Sequence, residues 1–160
     1  PGGYIYIYTG LIHYLTSEDE LIGVLGHEMA HADRRHSTDQ LTKQYGLSLL
    51  IGIISGTTGQ AQLAEIAGSL TSLAFSRSNE KEADEYSVIY LCPTSYNAAG
   101  SAGFFEKIEA QGGQNPPQFL STHPNPDNRV QNINQTKIDN GCTGTASFDQ
   151  RYEDFKNSLP

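Results

Sequence analysis

The spacing of apolar residues predicts a short strand followed by a long helix. Tyr4–Tyr8 alternates aromatic and aliphatic side chains, which is typical of a strand, and glycines lie on both sides of it. Ser17 and Glu20 form a capping box, with acidic residues in the first turn that follows and basic residues in the last. The pattern therefore predicts a helix from about Glu18 to His36.

Further helices are predicted along the rest of the chain. Pro93 is expected to end the helix before it, because proline cannot continue a helical hydrogen-bond pattern. Gly112–Asp127 is rich in Gly, Asn and Pro, which favours a long ordered loop. After Asp139 the pattern is weak. The helices predicted after the first are Asp39–Ile54, Gln60–Phe75, Asn79–Leu91 with Asn79 as its cap, a helix within Ser95–Gln111, and Asn128–Ile138.

Length and charge narrow the class of protein. A chain of 160 residues with 37% hydrophobic residues fits one globular domain, residues 1–160. The net charge of −8 and the lack of a basic cluster argue against a nucleic-acid partner. Because the chain begins at Pro1 without an initiator Met, we expect it to be a piece of something longer. Leu47–Ile54, the longest apolar run, is far shorter than the roughly 20 residues of a transmembrane helix, so no membrane span is expected.

The two cysteines, Cys92 and Cys142, belong to no recognisable zinc pattern. In an oxidising compartment they would form a disulfide that ties the C-terminal tail to the middle of the domain. Elsewhere they would be two unrelated thiols. The sequence leaves both alternatives open.

The candidate chemistry lies in the first long helix, in the stretch GHEMAH at positions 26–31. His27 and His31 are four residues apart, so they share one face of the helix, and two imidazoles at this spacing can bind zinc at about 2.0–2.1 Å each. Glu28, about 100° further around the helix, is suited to act as a general base toward water. The alternative is a structural helix with two solvated or buried histidines. His13 and His36 lack such a pattern, and a surface role or a hydrogen-bonded structural role is expected for each.

A catalytic zinc site needs a third protein ligand, and the segment around Glu80 and Asp84 can supply it. These two acids are four residues apart and share a helix face, whereas Glu82 is expected to point elsewhere. One acid of the pair can bind zinc while the other accepts a hydrogen bond from a ligand histidine. The alternative is an acidic, solvated helix start, since acidic residues are favourable near a helix N-terminus.

Four blocks of the sequence together resemble one metallopeptidase family. PGGYIYIYTGLI, SEDELIGVLGHEMAHADRRH, FSRSNEKEAD and STHPNPDNRV occur in the order and approximate spacing of the zinc peptidases that include the CAAX prenyl proteases, HtpX, the mitochondrial Oma proteases and BepA. The resemblance covers residues 1 to about 135. It implies a gluzincin, which is a mainly helical α+β domain with a small sheet and an active-site helix, and it implies that the N-terminal part of the domain is missing here.

The resemblance also assigns roles to individual residues. His27, His31 and Glu80 match the zinc ligands of the family, with one Zn²⁺ per chain, and Glu28 matches its catalytic base. Asp84 matches the acid that supports the ligands. His123 matches a loop histidine that can occupy the open position of the metal as an off-switch. Arg129 would direct its guanidinium at a carboxylate or at a developing oxyanion, the alternative being an ordinary salt bridge.

The sequence therefore predicts a zinc-dependent endopeptidase acting on protein or peptide substrates. The absence of membrane-spanning segments between residues 40 and 75 favours the soluble, BepA-like branch, and with it a periplasmic or cell-envelope location in a bacterium and a role in envelope protein quality control. The rival interpretation is a non-proteolytic chaperone or assembly factor that retains a structural zinc site.

Overall fold

The structure is a computed structural model that describes residues 3–70, 74–112, 118–124 and 127–159, and these residues are predominantly helical. Helix α2, with 16 residues the longest of the helices described, carries the GHEMAH stretch. The α-helices are α1 (Thr9–Tyr14), α2 (Glu18–Asp33), α3 (His36–Tyr45), α4 (Leu47–Ile54), α5 (Gln60–Leu70), α6 (Arg77–Leu91), α7 (Gly100–Ala110), α8 (Arg129–Asp139) and α9 (Asp149–Asn157), and a short 3-10 helix spans Gln118–Ser121.

Helix α2 packs against α6 and α7, and small residues make this close packing possible. A Cβ atom added at Gly23 would lie 2.5 Å from the backbone nitrogen of Ser101 in α7. A Cβ atom at Gly26 would lie 3.4 Å from the backbone of Ser87 in α6. The apolar core lies around these contacts and includes Phe104 from α7. The two helices that carry the candidate ligands are thereby held side by side.

The expected small sheet is the main error in the predicted fold class. Residues 4–8, predicted as a strand, form neither a helix nor a paired strand, and the side chains of Tyr4 and Tyr6 are 81% and 85% exposed. Within the described residues, β-pairing is limited to one isolated bridge between Tyr96 and Ala146. Alternation of side chains indicates which residues could share a face, but a strand also requires a neighbouring backbone. The described part is therefore helical rather than α+β.

Several helix boundaries also differ from the prediction. Helix α2 ends at Asp33 because Arg35 adopts a left-handed conformation with φ 60°, so that His36 begins a new helix. Gly46, with φ 81°, divides the predicted Asp39–Ile54 helix into α3 and α4. Helices α1 and α9 were not predicted. The predictions for residues 71–73, 113–117 and 125–126 lie outside the described residues.

Cys92 and Cys142 form a disulfide across 50 residues of sequence, which connects the end of α6 to the segment after α8. Further along, α9 is held on the domain by Tyr152, which is 1% exposed and donates a hydrogen bond from its hydroxyl to the carbonyl of Ile12 over 2.7 Å. The disulfide and Tyr152 therefore both attach the C-terminal region to the rest of the domain.

The segment between α3 and α6 is largely exposed. It carries exposed aliphatic side chains on α4, with Leu47, Ile51 and Ile54 at 63%, 57% and 87% exposure. The side-chain amide of Gln40 in α3 donates to the carbonyl of Ala74 over 2.5 Å, so α3 lies next to the residues that precede α6. Among the helices described, none has the length and apolar character needed to cross a bilayer.

Candidate metal centre

The structure brings His27, His31 and Glu80 together at the contact between α2 and α6. All three are buried, at 2%, 3% and 0% exposure. The Nε2 atoms of the two histidines lie 2.9 Å apart. The Glu80 carboxylate lies beside them, with Oε2 3.4 Å from His27 Nε2 and Oε1 3.4 Å from His31 Nε2. The three side chains predicted as ligands therefore converge on one point.

The local sequence explains why Glu80 reaches this point. The hydroxyl of Ser76 accepts a hydrogen bond from the backbone N–H of Asn79 over 3.1 Å, so Ser76, rather than Asn79 as predicted, is the N-cap of α6. Glu80 then lies in the first turn of α6, where the helix dipole favours a negative charge. The carboxylate is thus stabilised at the helix end that faces α2.

Asp84 and Arg129 support the cluster from the side of α6 and α8. Asp84 Oδ1 lies 2.8 Å from His27 Nδ1, and Arg129 Nη2 donates to the same oxygen over 2.7 Å. Arg129 is 1% exposed, lies 3.2 Å from Glu80 Oε2, and stacks 3.7 Å from the ring centre of Phe105. The guanidinium therefore faces carboxylates of the cluster, as in the salt-bridge alternative considered for it.

His123, from the loop before α8, completes a buried group of four possible metal ligands. Its ligand atom and those of His27, His31 and Glu80 all lie within 4.8 Å of one another. His123 Nδ1 is 3.1 Å from Glu80 Oε1, and its Nε2 is 3.3 Å from Glu28 Oε1. The loop is tied to the start of α6 because the backbone N–H of Phe75 donates to the carbonyl of Thr122 over 2.9 Å.

Glu28 lies at the edge of the cluster, on a pocket that opens to the surface. Its side chain is 23% exposed, unlike those of the buried group. Glu28 and His31 line the pocket together with Tyr4 and Arg35, among others. Glu28 is thus a partly exposed acid beside the cluster, at a pocket that opens to the surface.

His36 is the site residue that the sequence prediction missed. It is 2% exposed, and its Nδ1 lies 2.8 Å from His31 Nδ1. Its Nε2 lies 3.2 Å from Oε2 of Glu82, which points away from the face shared by Glu80 and Asp84. His13, for which the same role was expected, is exposed on α1.

The charges in the cluster suit a cation. Burial alone would lower the pKa of His27, but hydrogen bonds to Asp84 and Glu80 outweigh it and raise the pKa to about 9. Burial lowers the pKa of His31 to about 4, so this imidazole is neutral at pH 7. Burial also opposes ionisation of Glu80, yet the histidines around it keep its pKa well below the usual range. At pH 7 the cluster thus combines an anionic Glu80, a protonated His27 and a neutral His31, and a metal ion bound to His27 would take the place of its proton.

The residues present fit a divalent metal ion. Glu80 Oε2 is buried and makes no hydrogen bond of good geometry, although Arg129 lies nearby, and such an oxygen is unfavourable without a partner. Two nitrogens bound tetrahedrally at about 2.0–2.1 Å from zinc are about 3.4 Å apart. The 2.9 Å between the two Nε2 atoms is within about half an ångström of that value.

The fold and the cluster define a helical domain of the metallopeptidase class. The chain belongs to peptidase family M48, whose family model matches residues 1–137. A Vibrio cholerae protein, provisionally named a beta-barrel assembly-enhancing protease, is 34% identical over 143 residues, which are 81% of this chain and 30% of that protein.

Two further relatives carry related names. The metalloprotease YcaL of Escherichia coli K12 is 31% identical over 137 residues, covering 82% of this chain and 54% of YcaL. The mitochondrial metalloendopeptidase OMA1 of Arabidopsis thaliana is 29% identical over 138 residues, covering 86% of this chain and 28% of OMA1. The chain thus spans about half of YcaL and less than a third of the other two relatives. These matches confirm the family named from the four sequence blocks.

Proposed function

We propose that this domain is a zinc-dependent endopeptidase in which His27, His31 and Glu80 hold one Zn²⁺. The observation that carries the proposal is the convergence of two Nε2 atoms and a buried carboxylate next to Glu28, whose partly exposed carboxylate lines an open pocket. Bound zinc would polarise a peptide carbonyl and lower the pKa of water to about 7.

Glu28 is proposed as the general base. Its carboxylate would take a proton from the attacking water and pass it to the leaving amine, because it is the acid that faces the pocket rather than the buried cluster. Asp84 would accept the Nδ1–H hydrogen bond of His27 and so keep the Nε2 lone pair directed at the metal. Arg129 would hold Asp84 in place, since its shortest contact in the cluster is the 2.7 Å hydrogen bond to that carboxylate.

His123 is proposed as a reversible fourth ligand that closes the site. Its proximity to Glu80 and Glu28 supports this, because a ring at this position would occupy the space between the metal and the general base. Its ring stacks on Phe119, with the ring centres 4.2 Å apart, which would favour the closed position. Movement of residues 121–124 away from the cluster would then give substrate access to Glu28.

The whole protein is proposed to act in protein quality control in the periplasm or cell envelope of a bacterium. Two observations support this location: relatives are named for the assembly of beta-barrels, and a disulfide is stable mainly in oxidising compartments. Its substrates would be proteins or peptides.

Substitution of Glu28 tests the proposed function. Glu28→Gln is expected to retain one zinc per chain and to lose cleavage of an unfolded protein such as casein, whereas Glu80→Gln is expected to lose both. Glu85→Gln is the matched control, because Glu85 is an exposed acid on α6. Zinc content would be measured by atomic absorption and cleavage by electrophoresis with and without chelator.

The possible outcomes separate the rival interpretations. If zinc were lost together with activity in Glu28→Gln, Glu28 would be a ligand and the assignment of roles would be wrong. If the wild-type protein bound zinc and prevented casein aggregation but never cleaved it, the chaperone interpretation would replace the proposal. Cleavage that survives complete removal of zinc would also contradict it.

A further inference from the structure

The two histidines on α2 are held at their Nδ1 atoms in different ways. Asp84 contacts His27 Nδ1 directly, at 2.8 Å. His31 Nδ1 instead contacts another imidazole, His36 Nδ1, at 2.8 Å, and the far nitrogen of His36 lies 3.2 Å from Glu82 Oε2. We propose that His36 and Glu82 are positioning residues that orient His31 for zinc, an inference that rests on the proposed function.

The placement of hydrogens follows from the metal-binding role of His31. For Nε2 to bind a metal, its lone pair must be free, so the ring hydrogen of neutral His31 is on Nδ1. This N–H donates to His36 Nδ1, which must then be unprotonated. The hydrogen of His36 is therefore on Nε2 and donates to the carboxylate of Glu82. Both hydrogen bonds are therefore donated in the same direction, from His31 to His36 and from His36 to the carboxylate of Glu82.

The backbone is arranged to make this contact. On an uninterrupted helix, a residue five positions after His31 would point about 140° away from it. The left-handed conformation of Arg35, with φ 60°, ends that helix and turns His36 back toward His31. This conformation is uncommon for a residue other than Gly, Asn or Asp, and it costs roughly 1–2 kcal/mol. The contact between His36 and His31 would offset this unfavourable conformation of Arg35.

Glu82 is fixed from its other side. Arg34, in the same turn, donates from Nε to Glu82 Oε1 over 2.8 Å, and both side chains are more than one third exposed. One carboxylate oxygen is thus bound by the turn and the other by His36. Helix α6 consequently supplies a carboxylate to each histidine of α2, directly through Asp84 and indirectly through Glu82.

Packing alone leaves the direction of the His31 nitrogen atoms undetermined. The ring of Phe75 stacks on His31 with the ring centres 3.9 Å apart and an angle of 26° between the planes, which fixes the plane of the imidazole. Rotation within that plane is prevented by a hydrogen bond at the ring edge, and His36 provides it. His36 is expected to improve zinc binding for this reason rather than only to fill space.

A matched pair of substitutions tests the proposal. Asn and Leu have the same branched shape, but only Asn offers an oxygen near the position of the imidazole Nδ1. His36→Leu is expected to weaken zinc binding by roughly 10- to 100-fold, the usual cost of losing such a partner, and His36→Asn is expected to restore most of the loss. His13→Leu, on the exposed face of α1, is the control and is expected to bind zinc like the wild type.

The measurements are independent of catalysis. Zinc affinity would be determined by competition with a chromophoric chelator, and the visible absorption of the Co²⁺-substituted protein would report ligand geometry. Expected results are a changed Co²⁺ spectrum in His36→Leu and a nearly native spectrum in His36→Asn. Equal zinc affinity in His36→Leu and wild type would overturn the inference, as would His36→Asn binding as weakly as His36→Leu.

Glu82→Ala provides a second test if the buried substitutions fail to fold, because Glu82 is partly exposed. It is expected to weaken zinc binding in the same direction but less than His36→Leu, and unchanged affinity would refute the proposal. If the wild type itself failed to bind zinc, the proposed function would fall and this inference with it. A zinc-binding wild type with unaffected variants would refute the inference alone.

Discussion

Reduction of the Cys92–Cys142 disulfide is expected to lower the free energy of unfolding by about 4 kcal/mol. The two cysteines are 50 residues apart in sequence. In the chain-entropy model, opening a loop of this size gives the unfolded chain about 14 cal/mol/K of entropy, which is about 4 kcal/mol at about 25 °C. For a domain of this length, the corresponding decrease in melting temperature is roughly 8–16 °C.

The assay compares thermal unfolding of oxidised and reduced protein, followed by circular dichroism. A chelator would be present in both samples, because a metal bound to the native state adds stability of its own. The double variant Cys92→Ala/Cys142→Ala controls for other effects of the reductant, and reductant should leave its melting temperature unchanged. A difference below about 1 kcal/mol between oxidised and reduced wild type would refute the loop-closure reasoning.

Three further predictions concern the site, the core and the surface. His123→Ala should increase the rate of casein cleavage without loss of zinc, measured by initial rates and metal analysis, and a slower rate would contradict the closing role. Gly23→Ala should destabilise the domain by about 1–3 kcal/mol in urea unfolding because the added methyl group would overlap α7, whereas Gly10→Ala, in a helix with open space around it, should be neutral or stabilising. Arg151 lowers the pKa of Glu18 by hydrogen bonding, so this pair stabilises the fold above pH 4.5 and loses its contribution as the pH falls through the folded pKa. Glu18→Gln should therefore flatten the acid limb of the stability profile, and an unchanged limb would count against the pair.

The arrangement of the cluster could be predicted from sequence because, on a regular helix, the number of residues between two side chains determines whether they share a face. His27 and His31 are one turn apart on α2, as are Glu80 and Asp84 on α6, so each pair had to share a face. Resemblance to a family added the assignment of Glu80 rather than Asp84 as the expected metal ligand, and it drew attention to the loop of His123. Both helices remain regular through these residues, and the structure brings all five side chains together.

The parts that could not be predicted depend on local breaks or on distant partners. His36 was assigned to an unbroken helix, and nothing in its neighbours signals the left-handed Arg35 that redirects it. The alternation of Tyr4–Tyr8 indicates a strand only if another backbone lies alongside, which spacing within the segment cannot show. Helix α9 is largely polar, and Tyr152 is its one buried residue. A single buried position cannot produce the repeating apolar pattern by which a helix is predicted.

The hydrogen bond between Gln40 and Ala74 bears on where the domain can accept insertions and deletions. Because the chain leaves and re-enters the fold at neighbouring points, residues 46–70 form an outgrowth whose size is independent of the spacing between α2 and α6. Insertions or deletions there would leave the ligand-bearing helices in register, whereas a single added residue between Glu80 and Asp84 would rotate one of the two acids away from its histidine. Length variation among related chains should therefore be concentrated in the outgrowth.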